Sequence, residues 1–256
     1  MIESYRTPLE TFETNVLGTV NLLDSAFRSN QTKAFLSITT DKVYRNDNNG
    51  QAFKESDALS GKDPYSASKV GSEAAIAAWQ QIAKSSGGPK VVATRAGNVI
   101  GGGDWAQDRI IPDLVNSYSA GSLPTLRFPD AIRPWQHVLD CLNGYIKLSE
   151  ALLSGNGQGE WNFGPETSSF VNVGDVATYV QEIIGESAPN WTTTGEPQPH
   201  EANLLALDAR KAELELDWHN KLSFKESLKW TVDWQVAVNS GENANRISMD
   251  QISLFK

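Results

Sequence analysis

Tyr65 and Lys69 stand one helical turn apart in Y-S-A-S-K, so a phenol and an ammonium leave the same face of any helix built there. A tyrosine in water titrates near pH ~10 and is a poor base at neutrality, but a cation one turn away favours the phenolate. Such a pair can move a proton on and off an alcohol hydroxyl. A second reactive stretch, T-T-D-K-V-Y from Thr39 to Tyr44, follows the apolar run Ala34–Ile38. That run reads as a buried parallel strand, which puts Thr40, Asp41 and Lys42 at the carboxyl edge of a sheet, where doubly wound folds bind ligands. Taken singly, these residues have plainer readings. Asp41 can cap a turn, Lys42 can be a solvated charge, and Y-x-x-x-K occurs as ordinary pairing on a helix face.

The elements that must hold these residues are legible in outline. Thr7-Pro8-Leu9-Glu10 has the form of a helix start, and Phe12, Val16, Val20, Leu23 and Phe27 then recur at helical spacing. Gly18 inside that helix costs about 1 kcal/mol against alanine, which is expected to mark close packing. Asp63-Pro64 caps the helix bearing Tyr65 and Lys69, and residues 90–94 are a second buried strand. Helix, strand, helix, strand predicts an α/β fold with a Rossmann-like parallel sheet and crossover helices. Further helices are expected over 110–120, 138–153, 174–184, 209–216 and 224–238, and strands over 125–128, 134–137, 161–163 and 203–207. Residues 239–256 are polar with scattered apolar positions. Residues 1–100 and 133–165 are assigned to the Rossmann-like domain, and 101–132 and 166–256 to a smaller mixed α/β substrate-binding lobe.

Composition narrows the classes. A length of 256 residues suits one large domain or two interleaved ones, and 39% hydrophobic with 21% charged residues is ordinary for a globular chain. Net charge −9 argues against nucleic acid and anionic membranes as partners. The single cysteine, Cys141, allows no internal disulfide, fits a reducing cytoplasm and falls on an apolar helix face. No run of eighteen apolar residues suggests a membrane span, and three scattered histidines without C-x-x-C suggest no metal site.

Further motifs accompany the reactive pair: T-P-L-E-T-F-E-T-N-V-L-G-T-V-N-L-L from Thr7, R-A-G-N-V-I-G-G-G-D-W from Arg95, R-P-W-Q-H-V-L-D from Arg133 and P-H-E-A from Pro199. With T-T-D-K-V-Y and D-P-Y-S-A-S-K, the chain resembles the extended short-chain dehydrogenase/reductase family, and within it the nucleotide-sugar 4,6-dehydratases. Most of those carry Thr-Asp-Glu; Thr-Asp-Lys is similar to the branch acting on CDP-glucose.

The resemblance implies a lyase reaction with tightly bound NAD: transient oxidation at sugar C4, loss of the C5 proton, departure of the C6 hydroxyl as water and return of the hydride to C6. It gives Tyr65 the C4 hydroxyl proton, Thr40 a hydrogen bond to that oxygen, Asp41 the role of acid and Lys42 that of base. A lysine in water is protonated at pH 7, so that last role needs a shifted or relayed proton. Tyr65, Lys69, Asn15 and Val99 would meet the cofactor, with Asn15 orienting the lysine through water. Asn98 would contact the substrate diphosphate, and Arg109 and Arg133 would be substrate-side cations. Ile110, Thr125, Leu126, Asn162 and His200 would line the nucleotide pocket. Asn98 could equally be a turn asparagine, and each arginine could pair with a surface carboxylate. The family's dimer bundle would use the helices starting at Pro8 and Pro64, giving a cytoplasmic homodimer serving deoxysugar synthesis for surface glycans such as lipopolysaccharide O-antigen.

Two departures qualify this. The family's G-x-x-G-x-x-G phosphate-binding turn does not occur in the 256 residues, and Gly101–Gly103 reads as a loop. The chain is therefore expected to be a fragment that does not hold NAD alone, and one alternative is an inactive piece keeping only the dimerisation helices. P-H-E-A-N-L-L also departs from the family's His-Tyr, which leaves a dTDP- or UDP-sugar dehydratase or an epimerase as the other alternative.

Overall fold

A helix, α1 (Ile2–Arg6), precedes the Thr7-Pro8 pair, which therefore joins two helices instead of starting one. The Thr7 hydroxyl accordingly caps nothing ahead of it and donates back to the Glu3 carbonyl at 3.3 Å. Pro8 opens α2 (Pro8–Phe12), which passes through a π-helical turn (Glu13–Leu17) into α3 (Gly18–Arg28). The computed structural model describes residues 2–29, 31–48, 50–106, 109–185, 190–193 and 204–256. After α3 come β1 (Ala34–Ile38), a 3-10 turn (Asp41–Val43), α4 (Pro64–Ser86), β2 (Lys90–Ala96) and β3 (Asn98–Ile100). Next are α5 (Ile110–Ser119), β4 (Thr125–Leu126), β5 (Ile132–His137), α6 (Val138–Leu153), β6 (Gly159–Phe163) and β7 (Phe170–Asn172). The remainder is α7 (Val173–Ile184), β8 (Thr192–Thr193), α8 (Arg210–Leu216), α9 (Phe224–Asn239) and α10 (Ala244–Phe255). The last of these is the structure of the tail that showed no clear period.

The chain divides into two compact units. The first comprises the residues up to Gly97, Leu142–Gly164 and Leu205–His219. Its sheet is parallel, in the order β1-β2-β6, with Leu36 opposite Val92 and Thr94 opposite Trp161. Successive residues of β2 serve opposite faces, as a strand requires. Val92 packs with Leu148, Trp161, Phe163 and Trp218, while Val91 and Ala93 pack with Leu23 and Ile76 of α3 and α4. Helices thus cover both faces, the α/β arrangement of a parallel sheet. Truncating fully buried Trp161 to alanine would cost about 3–5 kcal/mol. Gly18 shows no close approach, since a Cβ there would meet nothing within 4 Å. The tight contact lies at Gly71 of α4, where a Cβ would come 2.8 Å from Val16 Cγ2.

The second unit comprises Asn98–Cys141, Pro165–Leu204 and Asn220–Lys256. In it β3 pairs parallel with β5, and β5 antiparallel with β7, over a core that includes Leu114, Val115, Trp135, Val176 and Leu228. Pro112 sits in the first turn of α5, where a missing N–H costs nothing. The glycines after Ile100 answer to packing: a Cβ on Gly102 would lie 2.1 Å from Trp234 Cδ2 of α9.

This division differs from the expected one at three main stretches, the first being residues 98–100, which form β3 and fall in the second unit. Residues 133–141 join the second unit because β5 pairs with β3 and β7. Residues 205–219 join the first because Phe53 bridges Leu207 and Trp218 packs edge-on against Phe163. The strand expected over 203–207 reduces, within the described residues, to that bridge. Cys141 is buried. Among the described residues, no helix is long and apolar enough to cross a membrane, and no group of three His, Cys, Asp or Glu could hold a metal ion.

Candidate active site

β1 ends at Ile38, and the polar residues after it stay buried: Thr39, Thr40 and Asp41 are each under a tenth exposed. Thr40 is extended and caps the 3-10 turn, accepting from the Lys42 N–H at 3.4 Å. Its hydroxyl donates to Asp41 Oδ1 at 2.9 Å, and the Lys42 ammonium donates to the same oxygen at 3.0 Å. Asp41 Oδ2, equally buried, has no hydrogen-bond partner among the described residues. A buried carboxylate oxygen without a protein partner is costly, which makes it a candidate contact for a ligand or a water.

The second reactive stretch is fixed by a capping box at the start of α4. Asp63 Oδ1 accepts from the N–H groups of Tyr65 and Ser66, both at 3.0 Å, and Ser66 Oγ accepts from the Asp63 N–H at 3.1 Å. A cap of this kind contributes about 1 kcal/mol and sets where the helix begins. Tyr65 and Lys69 then share one half-buried face. Lys69 Nζ donates to the Ile38 carbonyl at 3.4 Å, so the ammonium reaches the carboxyl edge of β1, two residues before Thr40. Burial lowers the Lys69 pKa, and the Glu73 carboxylate one turn further on opposes that.

Asn15 lies in the π-helical turn and meets α4 directly. Its amide donates to Ser68 Oγ at 2.9 Å, and its carbonyl accepts from Ser72 Oγ at 2.7 Å and Thr19 Oγ1 at 2.6 Å. These bonds tie Asn15 to Ser68 and Ser72, on either side of Lys69 along α4.

Asn162 requires a correction. Expected on a pocket wall, it is fully buried in β6 and its amide is taken up by the protein. Oδ1 accepts from the Tyr44 hydroxyl at 2.8 Å, and Nδ2 donates to the Phe53 carbonyl at 2.8 Å and the Asp208 carbonyl at 3.4 Å. The reason is local: β6 is the edge strand of its sheet, and the segment through Phe53 and Glu55 is strapped along it.

Residues the sequence reading passed over complete this centre. Glu73 and Arg95 form a buried two-pronged pair, with Nε to Oε1 at 2.9 Å and Nη2 to Oε2 at 2.8 Å. Arg95 Nη1 donates to the Tyr44 hydroxyl at 2.8 Å and the Glu55 carbonyl at 3.1 Å. Burial pushes the Tyr44 phenol up to about 12, against the opposing pull of Arg95, so it stays neutral and can donate. A signal existed for Glu73, which stands four residues after Lys69, and for Arg95, a charge inside an apolar strand.

In the second unit Asn98 and Val99 open β3, opposite Trp135 and Gln136. Arg109 occupies the N-cap position of α5, exposed, with Nε 4.0 Å from Asp104 Oδ2, and Ile110 is half-buried beside it. Thr125 is exposed on β4, whereas the Leu126 side chain belongs to the apolar core, so only its backbone is left for a ligand. Arg133 is buried in β5 and donates to the Ile132 carbonyl at 2.8 Å. His200 lies outside the described residues.

Comparison with known proteins gives the family. The model of the family described as GDP-mannose 4,6 dehydratase matches residues 2–231. The chain is 38% identical to CDP-glucose 4,6-dehydratase of Salmonella typhimurium over 257 residues, covering 98% of this chain and 71% of that protein. It is 28% identical to dTDP-glucose 4,6-dehydratase of Shigella flexneri, covering 90% and 68%. Among solved structures, it is similar to dTDP-glucose 4,6-dehydratase from Bacillus anthracis in complex with NAD, with TM-score 0.74 and 24% identity over 92% of this chain and 71% of that one. It is also similar to UDP-glucose 4-epimerase with UDP-glucose from Thermotoga maritima, with TM-score 0.80 and 20% identity over 91% and 72%. These two structures speak to the fold alone. On the strength of the family match and the Salmonella relative, the chain belongs to the GDP-mannose 4,6 dehydratase family of extended short-chain dehydrogenases/reductases.

Proposed function

We propose that the protein is a nucleotide-sugar 4,6-dehydratase whose substrate is CDP-glucose and whose product is CDP-4-dehydro-6-deoxyglucose. The observation that carries this is Asp41: a buried carboxylate with one oxygen held by Thr40 and Lys42 and the other without a partner. An epimerase does not expel the C6 hydroxyl and has no need of that acid. The Salmonella relative, a CDP-glucose 4,6-dehydratase, supports the choice of nucleotide.

The cofactor of this reading is NAD, which when bound takes hydrogen from C4 and gives it back at C6. Lys69 fits the ribose beside a nicotinamide ring, because its one long bond to Ile38 leaves donors for two hydroxyls. Tyr65 accepts the C4 hydroxyl proton while Thr40 steadies that oxygen. The Asp41–Lys42 bond then supplies acid and base together. Moving one proton along it converts carboxylate and ammonium into carboxylic acid and amine. The amine removes the C5 proton, which the adjacent ketone has acidified, and the acid protonates the departing C6 oxygen. Elimination restores the ion pair, the ammonium returns its proton to C5, and the proton held by Tyr65 passes through solvent to recharge the pair. The water lost is the C6 hydroxide plus one proton, so the cycle balances. In this account lysine serves where relatives carry glutamate because it shares its proton with Asp41.

Arg109 and Arg133 are proposed to grip the diphosphate, guanidinium being suited to two-pronged contact, with Asn98 beside them. We place the protein in the cytoplasm, where its buried lone cysteine stays reduced, and expect a homodimer. Tyr5, Leu9, Phe12, Leu17 and Leu22 expose apolar side chains along α1 to α3, a surface suited to a second copy. Light scattering tests the dimer: a Leu9→Lys, Leu22→Lys variant should run as a monomer. For the activity, CDP-glucose with NAD should give a 4-keto sugar that absorbs in alkali, and Asp41→Asn should abolish it. Faster turnover of dTDP- or UDP-glucose would overturn the nucleotide assignment.

A further inference from the structure

We propose that Glu73, Arg95 and Tyr44 are positioning residues that fix the acid-bearing turn against the helix of Tyr65 and Lys69. This rests on the dehydratase reading above. The turn Thr40–Asp41–Lys42 is pinned on both sides by one buried network. Before it, Thr39 Oγ1 donates to Glu73 Oε1 at 2.6 Å. After it, the Tyr44 hydroxyl accepts from Arg95 Nη1 and donates to Asn162 Oδ1, both at 2.8 Å. Glu73 and Arg95 join the two flanks, and each is about 5% exposed or less.

The placement of Glu73 gives the network its consequence. It stands one turn beyond Lys69 on α4, so the helix that presents phenol and ammonium also grips the strand end that presents the acid. Arg95 uses all three guanidinium nitrogens: two on Glu73, one shared between Tyr44 and the Glu55 carbonyl. A planar fork with fixed donors sets orientation as well as distance, which lysine cannot do. Tyr44 is further clamped by stacking on Phe53, with centroids 4.9 Å apart and planes 4° apart. Dehydration needs Tyr65 and Asp41 to address one sugar at C4 and C6, and a misplacement of the order of 1 Å costs rate steeply. None of these side chains has a buried polar atom left over for substrate, so they act through the turn.

Tyr44→Phe removes one oxygen and keeps the stacked ring. We expect backbone hydrogen exchange at residues 40–44 to rise about tenfold, the melting temperature to fall by only a few degrees as Asn162 Oδ1 loses its donor, and kcat measured well below that temperature to fall about tenfold with KM within about twofold. Arg95→Lys, which keeps the charge but loses the fork, should reproduce the kcat loss. Unchanged exchange at 40–44 in Tyr44→Phe overturns the proposal, as does faster exchange with unchanged kcat, or a kcat loss that merely follows a fall in melting temperature. If the unaltered protein releases water from no nucleotide-sugar, the dehydratase reading falls. The exchange measurement then decides by itself whether the network holds the turn.

Discussion

Lys42 Nζ and Asp41 Oδ1 lie 3.0 Å apart, and that ion pair leaves Oδ2 as the carboxylate's free, buried oxygen. The geometry matters because the two residues are neighbours in sequence. A 3-10 turn is needed to fold the lysine back over the aspartate, and the Thr40 cap supplies it.

Replacing Asp41 by Asn keeps the shape but removes the proton, and dehydration should slow by about 10²–10⁴. Lys42→Met should slow it comparably by stranding the carboxylate without its shared proton. Steady-state rates of water loss check both. A Lys42→Met variant of near-normal rate would remove the lysine from the chemistry.

The Glu73–Arg95 pair should couple strongly in stability. Arg95→Met alone strands a buried carboxylate and should cost about 3–5 kcal/mol, whereas Glu73→Gln with Arg95→Met should cost clearly less than the sum of the single changes. Denaturant unfolding of the four proteins measures the coupling.

Acid should find a weak point at His137. Burial lowers its pKa from 6.5 to about 4, and Nε2 has no partner among the described residues. Below its unfolded value the unfolded chain binds the proton and the folded chain does not. Stability should therefore fall as pH drops from about 6.5 toward 4, by on the order of 3 kcal/mol. His137→Gln should flatten that part of the curve. Equal slopes in both proteins would contradict the assignment.

Gly102→Ala tests what the glycine-rich loop is for. Its Cβ would collide with Trp234, so stability should fall by about 1–3 kcal/mol with no change in NAD affinity. A selective loss of NAD binding at unchanged stability would make the loop a phosphate cradle instead.

Sequence patterning carried the parallel sheet because apolar runs such as Val91–Ala93 have no other economical reading, and Asp63-Pro64 announced α4 through its capping chemistry. It placed Thr40, Asp41 and Lys42 at the end of β1 for the same reason. What it missed depends on contacts between distant segments. Asn162 looked free because its three partners lie more than forty residues away, and Gly18 looked crowded although the crowded glycine is Gly71. Thr7 looked like a cap because nothing local reveals that a helix already precedes it. The tail helix α10 escaped notice because its buried contacts are few: Ser248 Oγ accepts from the Trp234 indole at 3.0 Å and Gln251 donates to the Trp230 carbonyl at 2.8 Å.

The most direct trial is product analysis on protein purified from its own host, supplied with CDP-glucose and NAD. The account predicts a product lighter by one water, with a ketone at C4 and a methyl group at C6, from the unaltered protein and not from Asp41→Asn. An isomer of unchanged mass, or water loss that survives Asp41→Asn, would contradict it.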